Sequence, residues 1–407
     1  MRSGSRAFHL PMLRFTTAGE SHGPALTVIL EGMPAGVPLV AADVDVELAR
    51  RQQGYGRGRR MQIERDLVEF QGGVRSGATT GAPIAMRIPN RDWANWSEIM
   101  DPAPRPGDAA GRARSVTRVR PGHADLSGLL KYDRDDARDI LERASARETT
   151  ARVAAGAVCR RLLAEFGITI GSHLVHLGGI DAVVAEALPE DLNAASDRSP
   201  LRTLDGAAEA AMIARIDLIK AEGNTLGGIC EVVVRGLPVG LGSHVSWDRK
   251  LDGQLAQAML SIPAVKGVGI GIGFEAARLT GAQVHDEIEP APGAVRTGGV
   301  RRRTNRAGGL EGGITTGEPL VIRVAMKPIS TLMRPLATVD VATGHPAAAA
   351  AERSDVTAVP AMGVIAEAMA AYILCGALLE KFGGDALTET RRNHDAYLSH
   401  LAGRIGR

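Results

Sequence analysis

Apolar residues recur along this chain at two spacings. Short runs rich in β-branched residues at 25–30 (ALTVIL), 67–70, 84–88, 229–234 and 320–325 have the length and content of buried strands. Residues 268–274 alternate Gly with β-branched residues, which suits a strand that lets another backbone come close. A helical period sets in at 43–53, 207–222 and 251–261, with Asp43 placed to cap and Gly54 and Gly223 placed to stop. The longest helical pattern starts at Asp135 or Asp136 and reaches Phe166 before Gly167. Its apolar face carries Ile140, Leu141, Ala144, Ala151, Ala154, Val158 and Leu162. A last predicted helix opens at Pro360 and ends at Phe382 before Gly383-Gly384. The proline-rich stretch 89–111 reads as loop, and the polar stretch 189–206 is the best candidate for a boundary between halves. No tandem repeat of fixed period is present. Strands and helices mix without a regular βαβ period, so the pattern predicts an α+β fold rather than a doubly wound sheet.

Composition narrows the class. With 407 residues, 44% apolar and 23% charged, the chain can bury a large core and is not a disordered polymer. No window of about 18 uncharged apolar residues occurs. The best candidate, 358–379, carries Glu367 and reads as a buried helix, so no membrane partner is expected. The N-terminus has Arg2 and Arg6 but no apolar core of a secretory signal, and the periodic pattern begins only after Met12. Residues 1–11 therefore read as a disordered extension, or Met12 as the start, with 12–400 as one domain. Cys159, Cys230 and Cys375 are odd in number and far apart, with no zinc spacing, which points to a reducing cytoplasm. The net charge of +2 gives no global drive toward nucleic acid. Yet only six of the 48 basic residues are Lys, leaving 42 Arg. A GC-rich genome produces such a bias, and so does a site that needs planar, permanently charged forks for phosphate or carboxylate.

Six constellations carry candidate chemistry. His22, in GESHG just ahead of the 25–30 run, sits on a short turn as either a backbone-satisfied histidine or a general acid. Arg50, Arg51, Arg57, Arg59 and Arg60 surround a Gly54–Gly58 loop that can bend to make them converge. With 13 aromatic residues in all, that loop suits an anionic small molecule better than nucleic acid. His123, in RPGHAD beside Arg120, suggests an anion lying between the two. Arg143 and Arg147, four apart, would share a helix face and repel unless an anion intervenes, and Ala144, Ser145 and Ala146 would admit a flat ligand. The glycines of 305–314 (NRAGGLEGGI) and the stretch Lys327, Pro328, Ile329, Ser330 and Thr331 offer backbone N–H, a cation and hydroxyls to a cofactor phosphate. Arg353-Ser354-Asp355 supplies either a helix cap or a carboxylate beside an arginine.

Taken in order, GESHG, GYGRG, RPGHAD, RASARET, NRAGGLEGG, KPIST and RSD make the chain resemble the chorismate synthase family from Met12 to about Tyr397. The resemblance implies a β-α-β sandwich of two antiparallel sheets with helices between them, assembled as a homotetramer. It implies conversion of 5-enolpyruvylshikimate 3-phosphate to chorismate and phosphate, the last step of the shikimate pathway, by a 1,4-anti elimination. That reaction requires reduced FMN without net redox change. By the same resemblance Arg51, Arg57, Arg60, Arg120, Arg147 and Arg353 contact substrate. Arg143, Ala144, Ser145, Pro263, Ala264, Gly312, Lys327, Pro328, Ile329, Ser330, Thr331 and Arg353 contact FMN. Arg51 and Arg57 are also read in the family as an NADP site. His22 is the acid toward the leaving phosphate, His123 protonates or holds the reduced flavin, and Asp355 helps move a proton there. NADPH, or an external flavin reductase, would reduce the flavin. Pro263 stands where the family usually has Gln, and Gly298–Arg303 (GGVRRR) looks like an inserted basic loop. A flavin-dependent NAD(P)H oxidoreductase and an Arg-rich RNA-binding protein are the rival classes.

Overall fold

The computed structural model describes residues 13–58, 65–103, 115–351, 355–402 and 404–405. Two antiparallel sheets enclose a helical layer. The first sheet has the order Arg14–Ala18, Ala25–Glu31, Ile84–Pro89, Glu69–Gly72. The second has the order Val265–Ile270, Leu320–Met326, Gly228–Arg235, Thr169–Leu177, Ile180–Asp181. Helix Thr149–Ala164 packs on the first sheet and helix Val359–Phe382 on the second, and these two helices pack on each other. The α+β sandwich is therefore present.

The strands follow their two-residue period: Leu26, Val28 and Leu30 are buried while Ile29 is exposed. The long helix Val359–Phe382 opens with Pro360 in its first turn and stops at Gly383, whose φ is +60°. It is the one described helix long and apolar enough to cross a bilayer, and 83% of its apolar window is buried. Its Glu367 lies in the middle of the core. That carboxylate accepts from Arg50, Arg160, Arg202, Ser172 and Asn193, at 2.6–3.1 Å. Asn193 and Arg202 come from the polar connector, which contains a short helix, Leu192–Ser196. The stretch 189–206 is thus tied into the core by hydrogen bonds and does not divide the chain.

Several elements differ from the expected pattern. The helix expected from 135 to 166 is broken. Arg138–Leu141 ends before Ser145, whose backbone is extended and whose hydroxyl accepts from Arg147 N; Thr149–Ala164 then follows a single 3₁₀ turn. A serine that bonds its own backbone competes with helix continuation, and a periodicity count does not register it. The strand expected at 268–274 spans Val265–Ile270, because Gly271 (φ +59°) and Gly273 (φ +56°) turn the chain. The close backbone approach is nevertheless there: Arg306 O lies where a side chain at Gly271 would go. Helix Leu387–Leu401 follows the one expected to be last. Residues Arg14–Ala18, Thr169–Leu177 and Asp125–Tyr132 form elements that the pattern did not single out. The basic stretch 298–303 contributes strand Val300–Arg302, paired with Ile288–Pro290, and its arginines meet acids: Arg301 with Glu289, Arg302 with Glu311, Arg303 with Glu287. Residues 1–11 lie outside the described residues.

Candidate active site

The turn between the first two strands carries His22. Gly19 (φ +106°) makes that turn, with Ala25 O occupying the place of any side chain. The His22 ring is not exposed as expected; 15% of its side chain meets solvent. Its Nδ1 lies 2.9 Å from both carboxylate oxygens of Glu142, and its backbone N–H donates to Glu142 Oε2 at 2.9 Å. Arg138 donates to Glu142 Oε1 at 2.9 Å, and the His22 ring stacks on Trp96 with centroids 3.9 Å apart. Burial works against the Glu142 charge, but the His22 hydrogen bonds and Arg138 hold the carboxyl below its ordinary value. Ser145 Oγ donates to Ser21 Oγ at 3.1 Å.

Arg143 and Arg147 do not share a face, because the helix is broken at Ser145, between the two. Arg143 is largely exposed and donates to Thr17 O (3.0 Å) and Gly19 O (3.2 Å). With Ala144 it lines a cavity of about 1020 Å³ that also reaches Glu20, Ser127, Ile140 and Glu142. Arg147 is buried. It donates to Asn90 Oδ1 (2.9 Å) and Asp66 Oδ1 (2.5 Å), while Asn90 Nδ2 donates to Gly23 O at 2.7 Å, tying Arg147 to the His22 turn.

Arg51 joins the same group from the last turn of helix Ala41–Gln52. It donates to Thr149 Oγ1 (3.1 Å) and Ala146 O (3.3 Å) and faces Asp66 at 3.6 Å. Arg57 pairs with Asp355 at 3.2 Å, and Asp355 also accepts from Gly58 N. Asp355 is therefore the carboxylate beside an arginine and not the helix cap. Burial lowers the Arg51 pKa to about 10; Asp66 and Asp355 oppose the fall, and the nearby Arg147 and Arg57 deepen it. Among the described residues, the guanidiniums of Arg51, Arg57 and Arg147 gather here with the carboxylates of Asp66 and Asp355 in a place largely shielded from water. Arg60 and Arg353 lie outside the described residues.

The anion sought between Arg120 and His123 is Asp125. Arg120 donates to it through Nε (2.8 Å) and Nη2 (3.1 Å), and His123 Nδ1 lies 2.5 Å from Asp125 Oδ1. His123 too is mostly buried, 18% exposed rather than open. Burial raises the Asp125 pKa, but His123 and Arg120 outweigh it and hold the carboxyl well below its usual range. Arg120 Nη1 reaches Thr331 Oγ1 at 3.1 Å and Lys327 Nζ reaches Gly122 O at 2.6 Å, so the RPGHAD and KPIST segments form one surface. Gly227 permits this: a side chain there would sit 3.0 Å from Pro328 Cδ. Ala264, at φ +68°, accepts from Lys327 N at 3.0 Å, with Pro263 beside it in the same turn. Ile329 O accepts from Thr225 Oγ1 (2.8 Å), Leu226 N donates to Val356 O (2.8 Å), and Val356 N to Gly56 O (2.8 Å). That chain of contacts joins the Lys327–Thr331 surface to the arginine loop. Gly312 stands apart on the hairpin Leu310–Glu311 / Ile314–Thr315, where a Cβ would meet only His244 within 4 Å.

The profile of the family described as Chorismate synthase matches residues 13–379. The chain belongs to the chorismate synthase family. It is 55% identical to the chorismate synthase of Geobacter metallireducens over 393 residues, 96% of this chain and 99% of the relative. It is 57% identical to that of Thermus thermophilus over 385 residues, 95% and 98% of the two chains. A crystal structure of chorismate synthase superposes with a TM-score of 0.77 at 42% identity, covering 96% of this chain and 99% of that one. Chorismate synthases are lyases, and that activity, within shikimate-pathway amino-acid biosynthesis, is the activity of this chain. Within the family frame, Glu142, Asp125, Asp66, Asn90, Trp96 and Arg138 are residues the motif reading passed over. Asp125 and Glu142 were discoverable, since Asp125 ends RPGHAD and Glu142 directly precedes RASARET. Asp66, Asn90 and Trp96 carry no local signal.

Proposed function

We propose that the chain forms chorismate and phosphate from 5-enolpyruvylshikimate 3-phosphate by 1,4-anti elimination with reduced FMN bound. The observation that carries this reading is the clustering of the guanidinium forks of Arg51, Arg57 and Arg147, with two histidine–carboxylate pairs in the same candidate site. A substrate with one phosphate and two carboxylates suits such planar, permanently charged forks. Arg51, Arg57, Arg147 and Arg120, with Arg60 and Arg353, bind and orient those anions. His22 gives a proton to the departing phosphate, whose C–O bond breaks as the C6–H bond is lost.

The donor set fits FMN. Lys327, Ser330 and Thr331 gather cation and hydroxyls around the Gly122 turn, and Ala264 O holds the Lys327 backbone in place. Arg143, Ala144 and Ser145 add a guanidinium and small side chains beside a large cavity. Arg353, Pro263 and Gly312 complete the proposed set, Pro263 through its backbone. When bound, reduced FMN supplies electron density as phosphate leaves and recovers it, leaving no net redox change. His123 would hold the reduced ring, and Asp355, which as a carboxylate pairs with Arg57, would take up the proton. We read the chain as one cytoplasmic domain over 12–400 that assembles as a homotetramer. Its flavin is reduced by NADPH or an external reductase, with Arg51 and Arg57 the family's overlapping NADP positions.

The test mixes protein, FMN, dithionite and the phosphorylated substrate without oxygen and follows chorismate and phosphate. Stoichiometric appearance of both supports the proposal. Absence of product overturns it, and so does NADPH consumption without phosphate release when NADPH replaces dithionite.

A further inference from the structure

The two candidate histidines are held by the same device, built from unrelated segments. His22 Nδ1 meets Glu142, which Arg138 clamps; His123 Nδ1 meets Asp125, which Arg120 clamps. Both carboxylates are almost fully shielded from water, with side-chain exposures of 1% and 0%. An ionised carboxylate only accepts, so the facing Nδ1 is placed to carry the hydrogen; at His123 the donor Arg120 Nη2 also lies 3.1 Å from that nitrogen, but the Asp125 oxygen is nearer at 2.5 Å. The opposite tautomer would set the Nδ1 lone pair against a carboxylate oxygen at 2.5–2.9 Å. Each arginine keeps its carboxylate ionised and pinned. The His22 backbone N–H on Glu142 and the Arg120 backbone N–H on Asp125 fix the carboxylates from a second side. Trp96, stacked on the His22 ring, opposes its rotation.

We propose that Glu142 and Asp125 are positioning residues that lock His22 and His123 in the Nδ1–H tautomer, so that each exchanges protons with ligand through Nε2. The inference rests on the roles given to the histidines in the proposed function. The clamps differ in reach. Glu142 is joined to the leaving-group side through Ser21, whose N–H donates to Glu142 O at 3.0 Å. Asp125 is joined through Arg120 to Thr331 on the proposed cofactor surface. Loss of one clamp should therefore leave the other histidine undisturbed.

The tautomers are read directly by two-bond ¹⁵N–¹H correlation spectra of histidine-labelled protein, without substrate. At a pH where the rings are neutral, wild type should show Nδ1–H and a pyridine-type Nε2 for both rings. Glu142→Gln should mix or invert the tautomer of His22 alone, and Asp125→Asn that of His123 alone. In each variant kcat should fall about 10²–10⁴-fold, the size of a misplaced acid or base, with KM changed far less. Neutral wild-type rings with Nε2–H and a bare Nδ1, or variants whose neutral rings keep Nδ1–H, overturn the inference. A switched tautomer with a wild-type kcat instead overturns the role assigned to that histidine in the reaction. If one variant fails to fold, the wild-type spectrum and the other variant still decide.

Discussion

Gly156→Ala is a stringent test of the helical layer. Gly156 lies in helix Thr149–Ala164 where it crosses helix Val359–Phe382. A Cβ placed there would sit 2.5 Å from Ala368 Cα and 2.6 Å from Ala368 O. Ordinary contact begins at 3.4 Å, so the helices must part by about 1 Å. The atoms met are backbone and a Cβ, not the tip of a side chain that could swing away. Alanine gains about 1 kcal/mol in helix propensity, but overpacking of a filled core costs about 1–3 kcal/mol, more where backbone must move. The expected net is a loss of about 1–2 kcal/mol, read as a lower denaturation midpoint. Activity should fall further than stability. The segment leading into the first helix bears Arg147 and the helix itself bears Thr149, which orients Arg51, and a displacement of about 1 Å at a reacting centre costs up to about 10²-fold. Gly376→Ala is the internal control, because a Cβ at that position of the second helix meets nothing within 4 Å. It should stabilise by up to about 1 kcal/mol at unchanged turnover. Equal stability and wild-type kcat/KM in Gly156→Ala would falsify the close crossing.

Arg147→Lys should keep the fold but lower kcat/KM about 10–100-fold, because a single ammonium cannot hold Asn90 and Asp66 as the fork does; steady-state kinetics with a melting control check it. Glu367→Gln should cost about 3–5 kcal/mol in denaturant unfolding, since Arg50, Arg160 and Arg202 would lose their buried counter-charge. For acid stability, burial opposes the charges of Asp125, Glu142 and Glu367, but their arginine and histidine partners outweigh it and hold all three carboxyls low. Their contribution is complete above the unfolded values, 3.8 for Asp and 4.5 for Glu, and is lost as pH falls through the lower folded values. Unfolding free energy should be level toward neutral pH and drop below about 4.5, a slope that urea titrations at pH 3–7 would reveal or refute.

Much of the candidate site was legible as motifs, because its residues lie in short segments that can be read locally. RPGHAD and KPIST were separately recognisable, and Gly227 and the Arg120–Thr331 bond explain why they are adjacent. What the motifs concealed was the function of their neighbours. Asp125 looked like the tail of a histidine motif, yet it is the anion that reconciles Arg120 with His123. Glu142 directly precedes RASARET and was not singled out, yet it closes on a turn 120 residues earlier.

The sequence alone determined element type, because strand and helix periods are set by the local backbone and need only the neighbours along the chain. The helical pattern from Pro360 to Phe382 and the β-branched apolar run of 25–30 were both read from the chain alone and both form the expected element. The tertiary structure decided which charges meet. Arg50 and Arg51 are adjacent in sequence and diverge completely: one is consumed by Glu367, 317 residues away, and the other faces Asp66 and the N-terminal turn of helix Thr149–Ala164. Likewise Arg143 and Arg147 were separated by a serine cap, and 189–206 was drawn into the core by Glu367. Ionised groups interact through space at a few ångströms, and burial sets the strength of that interaction. Their pairing is a property of how the sheets and helices pack, which no local period encodes.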